Sequence, residues 1–184
     1  MDKLHWVTST LGIVLALGMT RLLATGVALF QARDRLRMDW VPIVWAVCIF
    51  VMLLQLSWAT LYLGQADTNW TFPRFLAVLG EATLLYVAAA LILPSHDFAQ
   101  GETLRASFEK DGRWAVAVVA VYKVVAVVLN WLAFDAWPLA HDRTVNIVLL
   151  LSAVAFVATR RKRVEWTATV IFALVLLGTA FLIG

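Results

Sequence analysis

Three ionisable side chains lie deep inside apolar runs: Arg21 in LALGMTRLLATGVALF (15–30), Glu81 in FLAVLGEATLLYVAAALI (75–92) and Lys123 in AVAVVAVYKVVAVVLN (115–130). A charge at the centre of a bilayer costs about 2.5–3.5 kcal/mol on insertion scales, so such residues face a bundle interior, pair, or line water. One carboxylate and two cations at membrane depth are suited to a polar pathway for an ion, a proton or an anionic solute. The competing reading is a structural ion pair that only fixes helix packing. An Arg21–Glu81 pair is the plainest expectation, with Lys123 competing for the same carboxylate. Gln55, close to Glu81 in depth, is expected to hydrogen-bond nearby.

Helical periodicity supports inward faces for all three. At 100° per residue, Thr10, Gly18, Arg21 and Thr25 share one sector of the first apolar run. Ser9, Gly12, Ala16 and Thr20 form a second sector of small residues, of the kind that lets helices approach closely, which predicts a central first span. Glu81 shares a face with Arg74, Ala77 and Ala88. Lys123 shares one with Val119, Ala126 and Asn130. The expected polar network is therefore Arg21, Glu81, Lys123, Gln55, Asn130 and Thr25.

The elements that must hold these groups follow from composition. The 184 residues are 62% hydrophobic and 15% charged, against roughly 25% charged in soluble domains. The apolar residues come in blocks, and a membrane helix needs about 17–25 of them. The expected fold is all-α: a polytopic transmembrane bundle of six spans with short loops, the whole of 1–184 forming one integral membrane domain. The spans fall near 6–31, 41–64, 74–93, 114–134, 143–159 and 165–183, the fifth being shortest. The first apolar run continues past Arg21 to Phe30 with no small-x-small cleavage site after it, so it reads as a retained span rather than a signal peptide. Pro42 and Pro73 sit at span starts, and Pro94 and Pro138 just beyond span ends.

The basic residues predict orientation. Arg33, Arg35 and Arg37 follow the first span; Arg105, Lys110 and Arg113 follow the third; Arg160, Arg161, Lys162 and Arg163 follow the fifth. The positive-inside rule makes these loops cytoplasmic and both termini external, in the inner (plasma) membrane of a bacterium. Trp6, Trp70 and Trp137 at one set of boundaries, and Trp40, Trp114 and Trp166 at the other, form the expected aromatic belts. In the 94–113 loop, Phe98, Leu104 and Phe108 are spaced for a short helix on the inner leaflet, or belong to an ordinary surface loop. Asp39 with Arg37, and Glu165 with Arg163, read as solvated pairs. Trp45 and Trp58 lie deeper than belt residues and either pack in the bundle or face a partner.

Several classes of function lack support. The net charge of +3 sits between apolar blocks and forms no nucleic-acid stripe. The single cysteine, Cys48, excludes an intrachain disulfide and a cysteine metal cage. His5, His96 and His141 fall at span ends or in loops, which argues against haem. No HExxH, G-x-S-x-G, GxxxxGK[ST] or GxGxxG pattern occurs, so no cofactor is expected and nothing supports an enzyme. Two groups of three spans would be inverted relative to each other, with Arg21 and Lys123 at matching places, as in inverted-repeat transporters. The reading is a small channel or carrier for an ion, proton or small anionic solute, forming homo-oligomers in the lipid bilayer. The alternative is a non-transporting scaffold or sensor subunit. It would bind anionic lipid or a partner through its basic cytoplasmic loops, with Arg33, Arg35, Arg37, Arg160, Arg161, Lys162 and Arg163, and the 94–113 loop.

Overall fold

The computed structural model describes residues 3–33, 39–63, 71–93, 104–134 and 140–182, and every element among them is helical. The elements are α1 (Lys3–Gln31), α2 (Trp40–Leu63), α3 (Phe72–Ile92), α4 (Leu104–Ser107), α5 (Arg113–Phe134), α6 (Ala140–Ala158) and α7 (Lys162–Leu182). A π-helical turn, Phe108–Gly112, joins α4 to α5 without a break. The six long helices coincide with the six expected spans. Five are long and apolar enough to cross a membrane, and the apolar part of α6 is the shorter stretch Thr144–Ala158.

Local sequence explains where helices begin. Thr71 precedes α3 in an extended conformation, and a proline occupies its first turn. Proline lacks the N–H that a helix start leaves unpaired in any case, so it costs nothing there. Asp39 Oδ1 accepts from the Val41 N–H at 3.1 Å, capping the start of α2.

Taking each helix with its main neighbours, the bundle closes as a ring in the order α1, α3, α5, α6, α7, α2, and α2 also packs across it on α3. The helices of the first half, α1 to α3, all touch one another. In the second half α5 packs on α6 and α6 on α7, so the two halves do not repeat one packing pattern. The expected central position of the first span is also corrected. α1 packs chiefly on α2 and α3, and its small-residue sector Ser9, Gly12, Ala16 and Thr20 is exposed. The close approach comes from Gly18 instead, where an added Cβ would lie 3.2 Å from both Leu53 methyls and 3.7 Å from the Tyr86 backbone.

A buried aromatic cluster lies toward the end of the bundle that carries the basic loops, called here the basic end. Trp45 is fully buried and packs against Phe172 at 4.6 Å and edge-on against Phe156 at 5.3 Å. Its indole N–H donates to Thr169 Oγ at 3.1 Å. A buried indole finds such a partner because an orphaned N–H costs about 1–3 kcal/mol. Trp58, by contrast, faces outward. Leu104 and Phe108 are both buried in the bundle, so they do not lie on a leaflet surface. Phe98 lies outside the described residues. The Phe108 ring meets Phe156 edge-on at 5.8 Å and covers Gly112 so closely that a Cβ there would overlap it.

Candidate functional site

Helix α3 presents Glu81 to α5, where its charge acts on both Tyr122 and Lys123. Glu81 and Lys123 are both partly buried. Their charged atoms are farther apart than the 4 Å of a direct ion pair, and the Lys123 ammonium lies 5.6 Å from the ring of its neighbour Tyr122. The α3–α5 contact thus brings two of the three charges that lie within apolar helices near each other without joining them.

Arg21 is not their partner. α1 and α3 run in the same direction, with Trp6 beside Phe75 and Gly18 beside Tyr86, so residues 68–69 positions apart are level. Glu81 is therefore level with residues 12–13 of α1. Arg21 stands eight to nine residues nearer the basic end, a separation of about 13 Å at 1.5 Å per residue. That exceeds what an arginine side chain bridges sideways, and no Arg21–Glu81 ion pair occurs among the described residues. Glu81 instead lies within electrostatic range of Lys123, with no direct ion pair.

The remaining network members divide. Thr25 is buried, but its hydroxyl donates to the Arg21 carbonyl of its own helix at 2.9 Å, so it serves the backbone rather than a charge. Gln55 Nε2 is buried with no hydrogen-bond partner. From the Gly18–Leu53 contact, Gln55 lies within about one helical turn of Glu81 in depth. The Asn130 side chain lies outside the described residues.

A second cluster of charge, at the basic end, was not expected. Arg105 donates to Asp39 Oδ2 at 3.1 Å, to Glu109 Oε1 at 2.9 Å and to Glu165 Oε2 at 2.5 Å. Arg113 donates to Glu165 Oε1 at 3.0 Å and to the carbonyls of Phe156 and Thr159 at 3.1 and 2.6 Å. One arginine thus satisfies carbonyls that the end of α6 leaves open. The two arginines tie the start of α2, the α4–α5 junction, the end of α6 and the start of α7 into one plate. Desolvation opposes the Arg105 charge, but its hydrogen bonds to Asp39, Glu109 and Glu165 outweigh it and raise its pKa above the ordinary value. Arg113 Nε is buried without a hydrogen-bond partner.

This corrects the solvated-pair expectation for Asp39 and Glu165. Glu165 is 5% exposed and its partners are Arg105 and Arg113, not Arg163, which is exposed. The sequence did carry a signal. Glu165 lies at helical spacing from Ala168, Thr169, Phe172 and Leu176, all buried, so it belongs to the inner face of its helix.

Of the basic residues expected to face lipid or a partner, Arg160, Arg161, Lys162 and Arg163 are exposed. Arg33 is exposed as well; its guanidinium stands 4.5 Å over the Phe30 ring and donates to the Phe30 carbonyl at 3.2 Å. Arg35 and Arg37 lie outside the described residues. No family model matches this chain, and neither a curated protein nor a solved structure is detectably similar to it.

Proposed function

We propose that the protein is a small membrane carrier for a proton or a small ionic solute, with Glu81 and Lys123 as its midplane site. The observation that carries this reading is that the two opposite charges face each other across α3 and α5 without direct contact. A purely structural ion pair gains most by closing to hydrogen-bond distance, because a buried pair offsets its desolvation only with good geometry. A carboxylate and an ammonium not joined to each other stay available to an exchanging proton or solute. The unpartnered Gln55 amide at similar depth adds a further hydrogen-bond donor. In this reading the Arg105–Glu165–Arg113 plate and the Trp45 cluster seal the basic end. Opening there would break ion pairs that water can replace. The basic end would face the cytoplasm of a bacterium, with both termini outside, and a homo-oligomer would complete the lipid-facing surface.

The test is flux in proteoliposomes, with protonophore-free vesicles carrying a pH or ion gradient. The carrier reading expects flux above empty vesicles that is lost in Glu81→Gln and in Lys123→Met and kept in Arg21→Gln.

A second reading, a non-transporting scaffold, is favoured by the exposed run Arg160–Arg163 beside the exposed Trp166. Clustered cations next to an interfacial aromatic suit an anionic membrane surface or an acidic partner. Neutralising these four residues would abolish partner or membrane-surface binding if this reading holds, and leave flux unchanged if the first does.

A further inference from the structure

Between α1 and α2, at the basic end, the bundle surface carries an apolar cavity of about 310 Å³. Its floor is Leu22, Leu29, Ala46 and Leu93, all buried, and its rims include the exposed Phe30 and Val47. No charged or hydrogen-bonding side chain lines it. Gly26 also lines it, and a Cβ added there would meet nothing within 4 Å, so the glycine supplies part of the hollow.

Position along the helices gives the cavity a depth. Its α1 residues run from Phe30, one residue from the end of that helix, back to Leu22, and its α2 residues run from Ile43 to Phe50. At 1.5 Å per residue it spans from the helix ends to about 15 Å inward, half of a hydrocarbon core about 30 Å thick. That is the depth of one leaflet. Trp40 and Trp166, in edge contact at 5.5 Å and both partly exposed, mark the headgroup level on the same end. At that level Arg33, an exposed residue, stands over Phe30 on the rim.

We infer that this groove is a binding site for one anionic phospholipid, its acyl chain in the α1–α2 hollow and its phosphate at Arg33. The apolar hollow takes hydrocarbon, and a cation at its mouth favours a negatively charged headgroup. The site is independent of the carrier reading. It uses none of the residues placed in the Glu81–Lys123 site or the Arg105–Glu165–Arg113 plate.

The test uses the full chain, purified in detergent and titrated with phosphatidylglycerol or phosphatidylcholine, with bound lipid read by native mass spectrometry. The wild type retains one phosphatidylglycerol per chain in preference to phosphatidylcholine. Gly26→Leu fills the hollow and weakens retention of both lipids roughly tenfold, the loss of about two buried methylenes. Val47→Phe does the same from the α2 side, which separates groove filling from a local fault in α1. Gly12→Leu, on the same helix but outside the groove and also in open space, binds as the wild type does. Arg33→Gln keeps lipid bound but loses the preference for the anionic headgroup. The inference is overturned if the two lipids bind the wild type equally. It is equally overturned if Gly26→Leu and Val47→Phe both bind normally, or if they leave lipid bound and instead split a dimer, which would make the groove a seat for a second copy. Flux measured on the same variants keeps the two proposals apart, because groove variants that lose lipid retain the midplane charges.

Discussion

Arg113 reaches Glu165 across 52 residues of sequence, its Nη2 donating to Oε1 at 3.0 Å while the same nitrogen serves the Phe156 and Thr159 carbonyls. The contact closes α5, α6 and α7 at one end of the bundle. Glu165 is buried, and removing one partner of a buried pair leaves the other charge uncompensated. Glu165→Ala should therefore lower stability by about 3–5 kcal/mol, since it leaves Arg113 without its carboxylate and takes one of three from Arg105. Glu165→Gln, which keeps the hydrogen-bonding shape, should cost less. Thermal unfolding in detergent followed by tryptophan fluorescence checks the order. Equal stability of Glu165→Ala and wild type would remove the plate from the account.

The indole of Trp45 donates to the hydroxyl of Thr169, joining α2 to α7, and the Thr169 hydroxyl in turn donates to the Glu165 carbonyl at 2.7 Å. Thr169→Val keeps the volume but orphans the buried indole N–H, for an expected loss of about 1–3 kcal/mol. Trp45→Ala removes the centre of the aromatic cluster and should cost about 3–5 kcal/mol. Chemical denaturation of the two variants in mild detergent checks the ranking.

Gly112 lies under the Phe108 ring at the π-helical turn, with no space for a methyl group. Gly112→Ala should destabilise by about 1–3 kcal/mol through overpacking. The penalty should shrink in a Phe108→Ala background, because the ring is what the methyl strikes. A double-mutant cycle measures that coupling directly.

The separation of Arg21 from Glu81 gives a prediction about pairing. A cycle of Arg21→Gln with Glu81→Gln should be additive within about 0.5 kcal/mol, whereas Glu81→Gln with Lys123→Met should couple by about 0.5–3 kcal/mol. Coupling in the first cycle and none in the second would reverse the assignment.

The six helices were legible because each is a long apolar block, and length with hydropathy is a property of the chain alone. The placement of Glu81 and Lys123 within long apolar helices was legible for the same reason. The separation of Arg21 from Glu81 was not, because it depends on how far α1 slides along α3. That register is set by contacts such as Gly18 on Tyr86, which counting from each span's own ends cannot supply. Arg105 and Arg113 looked like ordinary topology signals, since their sequence surroundings resemble any basic loop. Only the continuous run from α4 into α5 turns them inward. Glu165 was the readable case, because the inner face of its helix could be traced from Ala168 to Leu176.

The measurement that bears most directly on function is gradient-driven flux in proteoliposomes of folded wild-type, Glu81→Gln, Lys123→Met and Arg21→Gln protein, side by side. The account predicts flux above empty vesicles for the wild type and Arg21→Gln, and none for the two variants of the midplane site. Folded protein that moves nothing, or Glu81→Gln that carries as well as wild type, would contradict it.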